Sequence, residues 1–186
     1  MFPLDSSIEC YSNVGAFGID GGMSTLIGQS LVSDKLSFLV IGDLAFFYDM
    51  NSLSIRELKE NVRILLVNNN GGIEFKLHGE NREEADRFIA AANYHGSAKG
   101  WAESCGFDYY AVHNMEELKE ITPNFISKSK RPIIVEAFVT DYDESTSYSE
   151  IVNKNSPKTA KDSIKEVVKG VLGEDTFKKL KRVIKG

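Results

Sequence analysis

The sequence predicts an α/β fold, in which a parallel sheet is flanked by helices on both faces and followed by a C-terminal helical extension. Short continuous apolar runs at 38–41 and 63–67 are typical of strands that are covered on both faces. Between them, residues 45–59 show the apolar spacing of a helix. A strand, a helix and a strand within about thirty residues form a βαβ unit, and its strands are therefore expected to be parallel.

The remaining elements follow from the same patterns, with glycine, proline and asparagine marking their ends. The segment 13–22 is rich in glycine and is expected to be irregular. Asn114 is the expected cap of a helix, with Glu117 completing a capping box. In chain order the predicted strands are 8–12, 38–41, 63–67, 108–112 and 132–138, and the predicted helices are 23–32, 45–59, 83–92, 97–105 and 115–121.

The patterns divide the chain into a body at 1–140, a polar linker at 141–155 and two amphipathic helices at 156–186. Ser156-Pro157 is a helix start, because proline fits the first helical position. Apolar residues then recur at helical spacing through the rest of the extension. We expect these helices to pack on the body or on a partner subunit, because isolated short helices are marginal in water.

Charge and composition exclude several classes of protein. Residues 151–186 carry a net charge of +6, whereas the whole chain carries −5, so residues 1–150 carry −11. Such an acidic body argues against nucleic-acid binding. No apolar run approaches the ~18 residues of a membrane span, and the first residues do not resemble a signal peptide. Two cysteines without metal-ligand spacing suggest a reducing cytoplasm.

Polar residues follow two neighbouring strands of the predicted sheet. Asp43 comes directly after one strand, and Asn69 follows the next strand along the chain. Ligands of parallel α/β sheets bind beyond the carboxyl ends of the strands, where adjacent strands would bring both side chains together. Carboxylate, carboxamide and backbone carbonyl oxygens, the last near Gly71, are ligands that Mg²⁺ prefers, usually together with substrate phosphates. The amides that start the helix after Asp43 would favour an anion in the same crevice.

The spacing of Gly42-Asp43 and Asn68-Asn69 is similar to the cofactor motif of thiamine-diphosphate-dependent enzymes. Three stretches narrow the resemblance to the synthase family of menaquinone biosynthesis, over roughly residues 10–140. These stretches are Gly18-Ile19-Asp20-Gly21 with Ser24-Thr25, Gly42-Asp43-Leu44 with Asp49 and Asn51, and Asn68-Asn69-Asn70-Gly71-Gly72.

The resemblance implies thiamine diphosphate and Mg²⁺ as cofactors. It assigns the metal to Asp43, Asn69 and the carbonyl of Gly71. It places Ile19 beneath the cofactor, where a bulky residue bends the cofactor into its reactive shape. The cofactor-binding residues that it implies are Gly18, Ile19, Asp20, Gly42, Asp43, Leu44, Asn69, Gly71 and Gly72.

The resemblance also implies a 2-oxo acid decarboxylase or carboligase whose activating glutamate lies on a separate pyrimidine-binding domain. A homodimer or tetramer and a small 2-oxo acid substrate are then expected. Two alternatives stay open. One is a decarboxylase of another pathway, resembling acetolactate synthase or phosphonopyruvate decarboxylase. The other is a non-catalytic partner domain with the same fold.

Three residues depart from the family pattern. Val14 stands where the family places an arginine for acidic substrates, and valine cannot pair with a carboxylate. Phe17 replaces a small residue, and Glu74 adds a negative charge after the metal motif. These residues lead us to expect poor use of the isochorismate and 2-oxoglutarate pair and a less acidic acceptor.

Overall fold

The computed structural model describes residues 4–12, 18–72 and 96–156 of the chain. The chain divides into two compact units, Met1–Thr146 and Ser147–Gly186. The sheet and the candidate site belong to the first unit. The second unit is described only over residues 147–156, which are helical up to Asn155.

The described strands β1 (Ser37–Gly42), β2 (Val62–Asn68), β3 (Asp108–Val112) and β4 (Ile133–Phe138) form one sheet in the order β1-β2-β4-β3, and every neighbouring pair is parallel. The four predicted strands beyond residue 37 are confirmed, and so is the parallel βαβ unit. The helix predicted at 83–92 lies outside the described residues. In chain order the elements are α1 (Gly22–Leu31), β1 (Ser37–Gly42), α2 (Asp43–Tyr48), a 3₁₀ helix (Met50–Ser54), β2 (Val62–Asn68), α3 (Lys99–Ser104), β3 (Asp108–Val112), α4 (Met115–Phe125), β4 (Ile133–Phe138) and α5 (Asp141–Asn155).

Helices cover both faces of the sheet, as predicted. On one face α1, α2, the 3₁₀ helix and α3 pack over Ile64, Leu66 and Ile134, which are fully buried. On the other face α4 packs over Ile133 and Val135. The alternation follows from the pleat of the strands, because successive side chains point to opposite faces.

The prediction that β1 is covered on both faces is wrong for the described residues. Phe38 and Val40 point to the same face as α4, and they remain 49% and 69% exposed. The reason is that β1 lies at the edge of the described sheet, while α4 packs over β3 and β4. Only the ring of Phe38 reaches α4, where it meets Phe125 edge-on at 5.6 Å between ring centroids.

The single helix predicted at 45–59 is also wrong. The helix α2 ends at Tyr48, and the 3₁₀ helix follows it. Asp49, at the junction, leaves helical geometry with φ −112° and ψ 18°, and its carboxylate bonds to Ser24 in α1. The Ser52 hydroxyl donates to the Asp49 carbonyl at 2.8 Å. Local side-chain bonds of this kind compete with the helical pattern.

The strand predicted at 8–12 is absent, because these residues are irregular and exposed. Asp5 accepts hydrogen bonds from the amide and hydroxyl of Ser7, which forms a tight turn just before the segment. No strand of the described sheet pairs with it. A β-propensity pattern without a pairing partner does not make a strand.

The capping box of α4 is confirmed. The Asn114 side chain accepts a hydrogen bond from the Glu117 amide at 2.9 Å. The Glu117 carboxylate reaches back to the amide of His113, at 2.7 Å, and to the Asn114 side chain. The bond to Asn114 satisfies the Glu117 amide, a donor that the first helical turn leaves without a partner, and the other two bonds hold the Glu117 side chain over the cap.

Replacing Asn114 with alanine should lower the free energy of unfolding by about 1 kcal/mol, because a helix loses its N-cap. The shift should appear as a lower urea midpoint at an unchanged slope. Asn114→Ser is the matched control, since serine caps equally well, and it should stay close to the wild-type protein. Equal midpoints for the alanine and serine variants would contradict this account.

The residues predicted as a polar linker, 141–155, form the helix α5. Its last turn ends with Ser156, whose amide donates back to the Val152 carbonyl at 2.8 Å. Ser156 therefore closes this helix in the structure, although the sequence pattern marks it as a helix start. The sequence did not predict this helix, because its composition is polar and its amphipathic stripe is weak. The two predicted helices beyond Pro157 lie outside the described residues.

Over the described ranges, no helix combines the length and the apolar character that a membrane span requires.

Candidate functional site

The carboxyl edge of the sheet brings together the two strand ends singled out in the sequence. In the β1–β2 register, Gly42 pairs with Val67. Asp43 therefore lies one position beyond its strand pair, and Asn69 lies two positions beyond. The residues follow adjacent parallel strands at one edge, as predicted.

Asp43 is a buried carboxylate with one oxygen left over. Its side chain is 1% exposed, and Oδ1 accepts a hydrogen bond from the Leu44 amide at 2.8 Å. Among the described residues, Oδ2 is buried and has no hydrogen-bond partner. Burial raises the pKa of the Asp43 carboxyl, while the backbone amides of Leu44, Gly71 and Asn70 act to lower that pKa. An unpaired buried carboxylate oxygen is costly, and a cation would compensate it.

Two hydrogen bonds between residues 68–71 hold the loop 69–71 in shape close to Asp43. The Asn70 amide donates to Asn68 Oδ1 at 3.1 Å, and the Gly71 amide donates to Asn69 Oδ1 at 3.0 Å. Both amides also lie near enough to Asp43 to affect its pKa, although their hydrogen bonds go to the asparagines. Asn70 adopts the left-handed region with φ 68°, which asparagine tolerates better than most residues. The amides of Asn70 and Gly71 therefore lie close to the Asp43 carboxylate, and the predicted meeting of Asn69 with Asp43 stays a prediction.

The expected anion site at the start of α2 stays a prediction. The Leu44 amide is already used by Asp43 Oδ1. The helix α2 is only six residues long, so its dipole is weak. The Leu44 amide thus holds Asp43, and the predicted cofactor contact of Leu44 stays a prediction.

The glycine-rich segment ends at the same edge of the sheet. A Cβ on Gly18 would lie 2.7 Å from Asp20 Oδ1, which is the end of an exposed side chain that can turn away. Gly21 has φ 77° as the N-cap of α1, a left-handed conformation that favours glycine. A Cβ on Gly22 would meet the Ile41 side chain at 3.6 Å, so this residue lies against the end of β1.

Ile19 is 46% exposed in this chain, so it is not an ordinary core residue. The predicted cofactor contact of Ile19 stays a prediction, and so do those of Gly42 and Gly72.

Asp49 ties the glycine-rich segment to the Asp43 strand end. Its carboxylate accepts from the Ser24 amide at 2.8 Å and from the Ser24 hydroxyl at 2.7 and 2.8 Å. Ser24 lies in the first turn of α1, whose amides have no partners within the helix. Asp49 follows α2 directly. Ser24 and Asp49 therefore form a side-chain clamp that joins the first two of the three stretches in the motif. The motif includes both residues but does not indicate this contact.

A buried polar network lies beneath the loop and was missed in the sequence. Glu136 in β4 is fully buried and accepts hydrogen bonds from Asn68, Ser97, Ala98 and Tyr109. Burial raises the pKa of the Tyr109 hydroxyl, and the hydrogen bond to Glu136 raises it further. The available signal was a glutamate within the apolar run 133–138, because a buried charge requires partners.

The donor set fits Mg²⁺. One carboxylate with an unpaired oxygen, one carboxamide and a backbone carbonyl are hard oxygen ligands, and they leave room for phosphate oxygens. No three His, Cys, Asp or Glu side chains cluster in the described part of the chain. The site thus offers few protein ligands, which is how Mg²⁺ is usually held beside a phosphorylated cofactor.

Residues 6–137 match the family described as the thiamine pyrophosphate enzyme, C-terminal TPP binding domain. The chain belongs to this family. Thiamine pyrophosphate is another name for thiamine diphosphate, so the family carries the cofactor that the motif predicted. The described sheet and its strand-end site lie within the matched residues, apart from the last residue of β4.

Three curated relatives share the name 2-succinyl-5-enolpyruvyl-6-hydroxy-3-cyclohexene-1-carboxylate synthase. The relative from Phocaeicola vulgatus is 41% identical over 163 residues, which are 83% of this chain and 29% of the relative. The relatives from Bacteroides thetaiotaomicron and Bacteroides fragilis are each 43% identical over 74% of this chain and 25% of the relative. The chain thus spans between a quarter and a third of the length of these relatives.

The residues that depart from the family pattern cannot be placed. Val14 and Phe17 lie in the segment 13–17, and Glu74 lies in the segment 73–95, both outside the described residues. The expected preference for a less acidic acceptor therefore stays a prediction.

Proposed function

We propose that this chain is the diphosphate- and Mg²⁺-binding domain of a thiamine-diphosphate-dependent synthase that makes 2-succinyl-5-enolpyruvyl-6-hydroxy-3-cyclohexene-1-carboxylate. The reaction joins a decarboxylated 2-oxoglutarate unit to isochorismate. The observation that carries the proposal is the strand-end site, where the unpaired oxygen of Asp43 lies beside the loop 69–71. The names of the relatives support this choice of product.

The residues of this chain would bind and orient the cofactor. Asp43, Asn69 and the Gly71 carbonyl would hold Mg²⁺, and diphosphate oxygens and water would complete its shell. Thiamine diphosphate, when bound, supplies the carbanion chemistry. The hydrogen bond from the Leu44 amide fixes Oδ1 of Asp43, which leaves Oδ2 for the metal.

The glycine-rich segment would support the organic part of the cofactor. Gly21 gives the segment a left-handed turn that a side chain would strain. Ile19 stands out from this segment with about half its surface exposed, so it can contact a ligand. The clamp between Ser24 and Asp49 holds the segment beside the metal site.

The activating glutamate would come from a pyrimidine-binding domain that is not represented among the residues of this chain. We propose that the two domains meet across a subunit interface, in a homodimer or tetramer. The short span of this chain relative to the curated relatives supports a further domain. We also propose a cytoplasmic enzyme, in keeping with two free cysteines.

The test is an assay of the complete enzyme, meaning this chain together with the pyrimidine-binding domain. With thiamine diphosphate and Mg²⁺ it should convert 2-oxoglutarate and isochorismate to the product. The isolated 186-residue chain should fold but turn over no 2-oxo acid, because it lacks the activating glutamate. Removal of Mg²⁺ by a chelator, followed by its restoration, is the control for metal dependence.

Each outcome of this assay distinguishes between two hypotheses about the function of the chain. Turnover by the isolated chain would overturn the proposed division between domains. A complete enzyme that decarboxylates simple 2-oxo acids but ignores isochorismate would support a different pathway. Failure to bind thiamine diphosphate at all would support a non-catalytic partner domain. A Val14→Arg variant that gains activity with isochorismate would show that Val14 limits the use of acidic substrates.

A further inference from the structure

We propose that Asn68 and Glu136 are positioning residues that fix the loop 69–71 in the arrangement that binds Mg²⁺. The inference rests on the proposed function, since it concerns the same metal site. Neither residue is assigned to the metal by the sequence motif. Asn68 is the last residue of β2, and Glu136 lies two residues before the end of the neighbouring strand β4.

Glu136 is a buried acceptor surrounded by donors. Its carboxylate accepts from Asn68 Nδ2 at 2.7 Å, from the Ser97 hydroxyl at 2.8 Å and from the Ala98 amide at 3.0 Å. The Tyr109 hydroxyl donates at 2.5 Å. Both oxygens are engaged, and an ionised carboxylate can only accept. Each neighbour of the carboxylate must therefore present a hydrogen-bond donor to it.

Asn68 connects Glu136 to the loop, because its side chain bonds to the Glu136 carboxylate and to the Asn70 amide. A carboxamide has a donating nitrogen and an accepting oxygen of nearly the same shape, so either could face Glu136 on steric grounds. The carboxylate selects Nδ2, which also donates to the Gly96 carbonyl at 3.0 Å. The accepting oxygen Oδ1 must then face the loop, where it takes the Asn70 amide at 3.1 Å.

The conformation of the loop depends on the hydrogen bond that the Asn70 amide donates. Asn70 sits at φ 68°, a conformation that costs free energy in a residue with a side chain. Its neighbours on either side, Asn69 and Gly71, supply the two metal ligands of the loop. If Asn68 turned its amide group over, two donors would face each other at Asn70. The loop would relax, and Asn69 and Gly71 would leave the arrangement that is proposed to bind Mg²⁺.

An exchange of the donor and the acceptor tests this arrangement in the complete enzyme. Asn68→Asp keeps an acceptor for the Asn70 amide but puts a carboxylate against Glu136. Glu136→Gln introduces a donor that must face either Asn68 Nδ2 or the Ala98 amide. The double variant restores a complementary pair, because glutamine donates to the new aspartate while its oxygen accepts from Ala98.

The quantity to measure is Mg²⁺ affinity, by calorimetric titration at saturating thiamine diphosphate. Each single variant should bind Mg²⁺ roughly ten- to a hundredfold more weakly, the loss expected for a buried charged hydrogen bond. The double variant should recover at least about tenfold of this, as coupled residues do in a double-mutant cycle. At saturating Mg²⁺ the kcat of the single variants should return towards the wild-type value.

Asn61→Asp is the matched control for a general loss of stability. Asn61 is also a buried asparagine, and it directly precedes β2, at the end of that strand opposite to the candidate site. Its Nδ2 donates to the carbonyls of Ser30, Ser33 and Lys35. The aspartate there should lower the melting temperature without changing Mg²⁺ affinity. Equal losses of Mg²⁺ affinity in this control would overturn the proposal.

Two further outcomes bear on the proposal. Folded single variants with wild-type Mg²⁺ affinity would overturn it, and so would a double variant that is weaker than both singles. Asp43→Ala separates this result from a failure of the proposed function. If Asp43→Ala abolishes Mg²⁺ binding while the Asn68 and Glu136 variants do not, only the positioning role fails. If Asp43→Ala also binds normally, the metal site itself is misassigned.

Discussion

Replacing Asp43 with alanine should abolish the Mg²⁺-dependent binding of thiamine diphosphate by the complete enzyme, and with it the activity. Asp43 is the one carboxylate in the proposed ligand set, and its Oδ2 has no other partner among the described residues. Loss of a residue that only orients a metal ligand costs about 10–100-fold, so loss of the ligand itself should cost at least about a hundredfold. Calorimetric titration of thiamine diphosphate at fixed Mg²⁺ measures the effect.

The same substitution should leave the protein without cofactor about as stable as before. Burial raises the pKa of Asp43, so the folded state disfavours the ionised carboxyl. This destabilisation is absent at low pH, develops as the pH rises above the unfolded value, and is complete above the folded pKa. Alanine removes it but also removes the hydrogen bond to the Leu44 amide. The two effects oppose each other, and the melting temperature should change little.

Asp34→Ala is the control for the loss of an acidic residue, since Asp34 is exposed and lies before β1. It should bind the cofactor normally. Asp43→Asn should fall between the alanine variant and the wild-type protein, because it keeps one neutral oxygen. Wild-type affinity for thiamine diphosphate in the Asp43→Ala variant would refute the metal assignment, provided that the apo-protein melts cooperatively.

The sequence was sufficient for the parts of the fold that local patterns determine. Continuous apolar runs located β1, β2 and β4, and in β2 and β4 they mark strands that are covered on both faces. The cap at Asn114 was predictable because the capping box involves residues only three positions apart. The placement of Asp43 and Asn69 just beyond the ends of adjacent strands followed from the rule that parallel strands end at the same side of the sheet.

The features that were wrong or missed depend on contacts between distant parts of the chain. The helix after Asp43 ends early because Asp49 bonds to Ser24, a residue that precedes it by one helix and one strand. The role of Asn68 depends on Glu136, which pairs with it only after β4 joins the sheet. Neither contact leaves a periodic pattern in the sequence. The motif therefore indicated which residues matter at the site, but not which residues hold them in place.

Arg63 should prove the most important single side chain for stability. It is a fully buried guanidinium in β2, on the face covered by α4. Its Nε donates to the Phe125 carbonyl at 2.8 Å, and its Nη2 donates to the Ser127 carbonyl and the Ser129 hydroxyl. Its Nη1 donates to the carbonyls of Glu60 and Val62. All five guanidinium N–H groups thus have an acceptor.

The contacts of Arg63 close the end of α4. Phe125 is the last residue of that helix, where carbonyl groups have no partner within the helix. A cation at a helix C-terminus also interacts favourably with the helix dipole. One side chain therefore joins β2, the end of α4 and the turn that leads to β4.

Arg63→Ala should lower the free energy of unfolding by about 3–5 kcal/mol, the range seen when one partner of a buried charged network is removed. That is a large part of the ~5–15 kcal/mol that stabilises a typical domain. Urea unfolding of the 186-residue chain can follow the fluorescence of Trp101, whose indole N–H is anchored to the Met50 carbonyl at 2.7 Å. This tryptophan is the single one in the sequence, so the signal has one source.

Arg63→Lys should be nearly as destabilising, because an ammonium group has three donors and no planar fork to span these acceptors. Lys35→Ala is the control for the removal of a surface cation. Lys35 forms an exposed ion pair with Glu9 at 3.7 Å, and its loss should change the free energy of unfolding by less than about 1 kcal/mol. If Arg63→Lys matched the wild-type protein, positive charge alone would suffice, and the five-donor network would not be the source of the stability.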